Sequence, residues 1–247
     1  MNKDKKFLNA LDDWGSILTD TYEQGLIYVQ KSVINSVDMR VVEKEHVNIN
    51  KPIILTFDSD EIGAIGNEAF ADCKLITGEL KLPSELTIIS QEAFKNCSGI
   101  SGTVIFPEFL LYLGTAAFLG CSGIDHVVIN KHLLEIPGRA FKGCTNLHGE
   151  LIIPKEVELI LTESFADTNI ERLTIESEKL IIDTHAFKNC KGLKGELKLP
   201  KGVKGISQSS FNGCSNLTSL LIHNDTDILL DDEHIDPHIH KILKRYN

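Results

Sequence analysis

The sequence predicts an α/β repeat solenoid, with a parallel sheet along its concave side and a helical cap at the N-terminus. Three observations carry this expectation. Seven phenylalanines, Phe70, Phe94, Phe118, Phe141, Phe165, Phe187 and Phe211, recur at intervals of 22 to 24 residues, each closing a similar hexapeptide such as IGNEAF or ISQSSF. All six cysteines fall three residues after a member of this series, at Cys73, Cys97, Cys121, Cys144, Cys190 and Cys214, and Thr168 takes the remaining place. Four segments, GELKLP at 78–83, GTVIFP at 102–107, GELIIP at 149–154 and GELKLP at 195–200, alternate in side-chain character and end in proline. A fixed period of this length marks stacked supersecondary units.

Within each repeat the elements follow in order. The alternating segment is a short strand that stops where proline removes a backbone donor. An apolar residue stands eight places before the next phenylalanine (Leu86, Leu110, Leu133, Val157, Val203), and an Ile or Leu five places before it. These predict a corner and a second extended piece, followed by a short helical turn ending near the phenylalanine. A unit of this size cannot bury its own apolar face, but successive coils can cover one another. Adjacent strands would pair in parallel at about 4.8 Å, so seven coils give a body roughly 30 Å long.

The ends need caps, because a bare solenoid end exposes core and strand edges. Residues 1–58 form the expected N-terminal cap: Phe7, Leu8, Leu11, Trp14 and Leu18 share one helical face, and Leu26 to Ile34 offer a second apolar segment. Val41 to Phe57 alternate enough for one or two degenerate strands. The solenoid is expected over residues 59–224. Residues 225–247 leave the repeat and are expected to fold over the last coil, with Ile235, Ile239 and Leu243 at helical intervals.

Composition narrows the function classes. The chain has 247 residues, 42% hydrophobic and 24% charged, with a net charge of -10. That balance argues against a surface that tracks nucleic-acid phosphates. No apolar run approaches the roughly 18 residues of a membrane span. Asp12 and Asp13 interrupt any apolar leader segment, so a cytoplasmic location is expected, or a surface one if a leader has been removed. No P-loop, nucleophile elbow or dinucleotide fingerprint is present, and an enzyme is not expected. No cofactor is expected either.

The cysteines lack the close pairs of a zinc site. Stacked coils would bring Cys73–Cys97, Cys121–Cys144 and Cys190–Cys214 within bridging range. Buried, reduced thiols at a turn are the simpler reading. The tail residues Asp231, Asp232, Glu233, His234, Asp236, His238 and His240 are metal-ligand types, but Pro237 breaks their helical spacing. They are expected to form a solvated tail, with no metal site.

The repeat, approximately I-x-x-x-A-F-x-x-C-x-x-L-x-x-[IV]-x-[IL]-P over residues 60 to 223, resembles the BspA-like leucine-rich-repeat family. The resemblance implies a right-handed leucine-rich-repeat coil and an interaction role, in a family known mostly for secreted or cell-surface proteins. Repeats three and five depart from the pattern. CSGIDHVVIN is one residue short, and FADTNIERLTIES lacks the Cys, the Gly and the Pro, so tightened turns are expected there.

With Val104/Phe106, Val127/Ile129, Leu151/Ile153 and their counterparts facing inward, two outward columns follow. One runs through His126, Glu150 and Arg172, the other through Ile105, Val128, Ile152 and Thr174. Three consecutive apolar residues on a wet face point to a binding site for another protein. The expected function is therefore a non-enzymatic scaffold that engages a protein partner across the concave sheet. The alternatives are a surface or secreted adhesin of the BspA-like type, and an inhibitor or sequestering effector acting through the helical N-terminal region.

Overall fold

The computed structural model describes residues 26–27, 31–34, 37–42, 49, 51–57, 62–229 and 235–247. Seven coils and a partial eighth each contribute two strands. The longer strands are Gly78–Glu79, Ile100–Ile105, Ile124–Val128, His148–Ile153, Asn169–Ile175, Gly195–Lys198, Leu217–His223 and Leu243–Tyr246. The shorter set is Ile62–Ile65, Ile88–Ile89, Tyr112–Leu113, Glu135–Ile136, Leu159–Ile160, Leu180–Ile182, Val203–Ser207 and Asp227–Leu229. Every ladder within these two sets is parallel, as stacking of coils that run in one direction requires.

The phenylalanines form a single internal file. Rings of successive coils lie 5.0 to 5.5 Å apart, with planes within 9° of each other. All seven are fully buried. At about 1.5–3 kcal/mol for each large apolar side chain removed from water, this file and its flanking Leu, Ile and Val columns hold the coils together. The prolines act as expected and also close the corner. Pro83, Pro107, Pro154 and Pro200 each accept from the N–H of the apolar residue three places on, at 3.0 to 3.2 Å.

The short helical turn expected before each phenylalanine is not a helix. Glu68 and Asp72, Glu92 and Asn96, Glu163 and Asp167, and His185 and Asn189 all have left-handed backbones, with φ of 53° to 63°. A helix would direct each N–H to its own preceding turn. The alternation instead points every second donor along the stack: Glu68 N–H to Gln91 at 2.9 Å, Phe70 N–H to Ala93 at 2.8 Å and Asp72 N–H to Lys95 at 2.7 Å. The phenylalanine bond recurs as Phe94 to Ala117, Phe118 to Ala140, Phe141 to Ser164, Phe165 to Ala186 and Phe187 to Ser210, each 2.8 Å. This third ladder offsets a left-handed cost of about 1–2 kcal/mol per non-glycine residue.

The helical N-terminal cap is not supported. Residues 1–25, with Phe7, Leu8, Leu11, Trp14 and Leu18, lie outside the described residues. The described backbone after them is extended. Leu26–Ile27 pairs with Thr56–Phe57, and Lys31–Ile34 runs antiparallel to Val37–Val42, which joins Ile62–Ile65 in parallel. Val37–Val42 thereby pairs with the open edge of the first coil. Among the described residues the fold is thus a parallel-strand solenoid with hardly any helix rather than an α/β one. Among the described residues the single helix is Pro237–Ile242, and it is not long or apolar enough to cross a membrane.

That helix covers the last coil. Asp236 caps it by accepting from His238 N–H at 2.8 Å, and Ile239 and Ile242 are buried. Leu243 departs from the expected helical spacing, because the chain turns there into Leu243–Tyr246, which pairs with Leu217–His223. Arg245 donates to the carbonyls of His223, Asn224 and Thr226 at 2.9 to 3.4 Å.

The strand ladders break on both faces between the third and fourth coils. On the shorter-strand face, Gly114 N–H reaches Ile89 at 2.7 Å and Leu161 N–H reaches Ile136 at 2.9 Å. Pro137 holds the equivalent place between them and has no proton to donate. Asn130, standing where other repeats have proline, bridges this region. Its Nδ2 donates to the carbonyls of Pro107, Glu108 and Leu110 at 2.7 to 3.1 Å, and its Oδ1 accepts from Leu133 N–H at 3.3 Å.

Candidate functional site

The strand alternation bears out the inward and outward assignment. Val104, Phe106, Val127, Ile129, Leu151 and Ile153 are buried. Ile105, Val128 and Ile152 are 56%, 49% and 47% exposed. The first two stand opposite each other in register. Ile152 belongs to the next ladder, across the break, where it pairs with Thr174.

The polar members of the expected site divide into two groups. Glu150 accepts from Thr174 Oγ1 at 2.6 Å and lies 3.6 Å from Arg172 Nη2, so these three form a cluster. Exposure keeps that ion pair weak. His126 is not part of this cluster. Its register partner is Thr103, and its ring lies 4.6 Å from that of His148, a residue the sequence columns did not include. The reason is the residue missing from coil three. Without a counterpart of Gly102 or Gly149, the chain bulges between Ile124 and His126 and brings the imidazole beside the next strand.

A second apolar cluster also escaped the sequence reading. Phe109, Leu111 and Leu134 are 50%, 63% and 62% exposed at the corner that follows the longer strands. Leu111 and Leu134 occupy one repeat position, held by Thr87 in the coil before and Glu158 in the coil after. The departure from polar residues in that column was the available signal.

Cys97, Cys121, Cys144, Cys190 and Cys214 are buried, and each Sγ–H donates to the carbonyl of a phenylalanine in the preceding coil at 2.9 to 3.2 Å. Burial pushes every one of them up, Cys144 and Cys190 to about 12, so they stay protonated. None of the six cysteines is joined in a disulfide. Thr168 replaces the missing cysteine, donating to Phe165 at 2.9 Å and meeting Cys190 Sγ at 3.2 Å. In the acidic tail, residues 230–234 lie outside the described residues, while Asp236 serves as a cap and His238 Nε2 meets the Leu217 carbonyl at 2.8 Å.

A solenoid of about two dozen residues per coil, with two parallel faces and a file of phenylalanines, defines a leucine-rich-repeat protein. The sequence matches the model of the BspA type leucine-rich repeat region in six copies, over residues 63–194 and 193–231, and the chain belongs to that family. No curated protein matches it. Among solved structures it is similar to a leucine-rich repeat protein of T. pallidum, at 22% identity and a TM-score of 0.56, over 81% of this chain and 82% of that one. A leucine-rich repeat protein of Eubacterium ventriosum shares 18% identity at a TM-score of 0.57, over 74% of this chain and 49% of that one. One from Bacteroides ovatus shares 17% identity at 0.50, over 89% and 70%. These likenesses show the fold. Proteins of this repeat family are typically interaction or surface proteins and are generally not enzymes.

Proposed function

We propose that this chain is a non-enzymatic scaffold that holds a protein partner across its longer-strand face. The observation that supports this reading is the run of Ile105, Val128 and Ile152 on three consecutive coils, each about half exposed. Contiguous exposed apolar residues rimmed by polar ones are characteristic of protein interaction sites. His126, Glu150 and Arg172 line one side of the stripe, and Thr174 continues it past Ile152. Desolvating the three aliphatic side chains supplies the affinity, while the polar rim sets orientation and partner choice.

The test is the double substitution Val128→Asp with Ile152→Asp. Both side chains project from the sheet, so the circular dichroism and the unfolding midpoint should stay close to those of the parent chain. Partner recovery in a quantitative pull-down should fall at least tenfold, since two carboxylates would be desolvated at the interface. Unchanged recovery of the same partners would remove this face as the binding surface.

A further inference from the structure

The break between coils three and four places two imidazoles side by side on the longer-strand face. The rings of His126 and His148 lie 4.6 Å apart and are inclined by 59°. Two imidazoles bound to one tetrahedral ion at the usual Zn–N distance of about 2.0–2.1 Å have ring centres about 5 Å apart, so a shift of roughly half an ångström meets that requirement.

The tautomer of His148 suits a ligand. Its Nδ1 stands 2.6 Å from the carbonyl oxygen of Asn146. A carbonyl only accepts, so Nδ1 carries the proton, and the lone pair of the neutral ring sits on Nε2. A backbone carbonyl holding the far nitrogen is also what orients metal-binding histidines in general. Gly149, with φ of 71°, keeps the space beside the other ring open: a Cβ there would lie 3.3 Å from His126 Nε2. The neighbouring carboxylates are otherwise engaged, Asp125 with Gly102 N–H at 3.2 Å and Glu150 with Thr174 at 2.6 Å. Among the described residues no three His, Cys, Asp or Glu side chains gather in one place, so the pair stands as two protein ligands.

We propose that His126 and His148 together bind a divalent transition-metal ion of the zinc class on the longer-strand face, with water completing the coordination. Both rings are exposed, so the ion reaches them directly from solvent. With two protein donors the site is open and exchangeable, unlike a closed structural zinc site with four. It shares the longer-strand face with Val128 and Ile152 but does not depend on any partner binding there.

The full chain titrated with zinc chloride, and followed by NMR of the histidine ring resonances, tests this site by site. The signals of His126 and His148 should shift together with one saturation curve, at lower zinc than any other histidine. His148→Gln should weaken the response of His126 by roughly tenfold or more, because the second donor acts at high effective concentration. The reciprocal His126→Gln reads the same coupling from His148 should the first variant disturb the fold. Independent curves for the two rings, or a response of the remaining ring that neither substitution alters, would overturn the proposal.

Discussion

Cysteine and the residue two places after each phenylalanine show how one position acquires a role through stacking. Asp72, Asn96, Gly120, Gly143, Asp167, Asn189 and Gly213 form a column of Asp, Asn and Gly, the types that best tolerate a left-handed backbone, and all seven adopt it. Within the column Asn96 Nδ2 donates to Asp72 and Asn189 Nδ2 to Asp167, each at 2.8 Å. Gly120 follows Asn96 because a Cβ would lie 2.5 Å from the Asn96 amide oxygen. One place later the thiols sit neutral. Their folded pKa lies above the ordinary value of 9.0, at about 12 for Cys144 and Cys190. Above the unfolded value the unfolded chain loses protons that the native chain keeps, so stability falls as pH rises. The contribution is intact below about pH 9 and disappears toward about pH 12. Denaturation midpoints measured from pH 8 to pH 11 should therefore decline. A thiol reagent at pH 8 should leave Cys97, Cys121, Cys144, Cys190 and Cys214 unmodified in the native protein and label all six cysteines after unfolding.

At the scale of the element, coil three departs from the repeat and carries chemistry of its own. It lacks the left-handed glycine that stands in the longer strands of its two neighbours, it has Asn130 where proline is usual, and it is followed by Pro137. Asn130 is buried and makes four hydrogen bonds with one amide. Substituting Asn130→Ala leaves three carbonyls of the preceding coil without that donor. It should cost about 2–4 kcal/mol in chemical denaturation, more than a surface change, because stranded buried polar groups are expensive. Asn130→Asp should cost at least as much, since a carboxylate only accepts.

Over the whole molecule, three ladders and a continuous core make stability a sum of coil-to-coil interfaces. These interfaces are not equal. Between coils three and four both strand ladders stop, and the turn ladder through Phe118 and Ala140 at 2.8 Å carries on. Native-state hydrogen exchange should find the strand amides on either side of this junction, in Tyr112–Leu113 and Glu135–Ile136, opening at lower free energy than those of Leu159–Ile160 and Leu180–Ile182. Phe118 N–H should remain among the slowest to exchange. Uniform protection along the shorter-strand face would show that the junction is no weaker than the rest.

The period, the inward file of phenylalanines, the strand alternation and the exposed stripe of Ile105, Val128 and Ile152 were all legible in the order of residues. Each depends on a spacing that repeats, and repetition multiplies a weak local preference into a single outcome. Other features needed the folded chain. The left-handed turns replace helix because their donors find carbonyls one coil away, and a local pattern does not reveal a partner more than twenty positions distant. The strand Val37–Val42 answers to the open edge of the first coil in the same way. The meeting of His126 with His148 follows from a one-residue deletion, whose effect on a neighbouring strand is set by register in space. The chain's own order thus determined what repeats in this protein, and tertiary structure decided what happens where the repeat is interrupted, because an irregular residue takes its conformation from the coils packed against it.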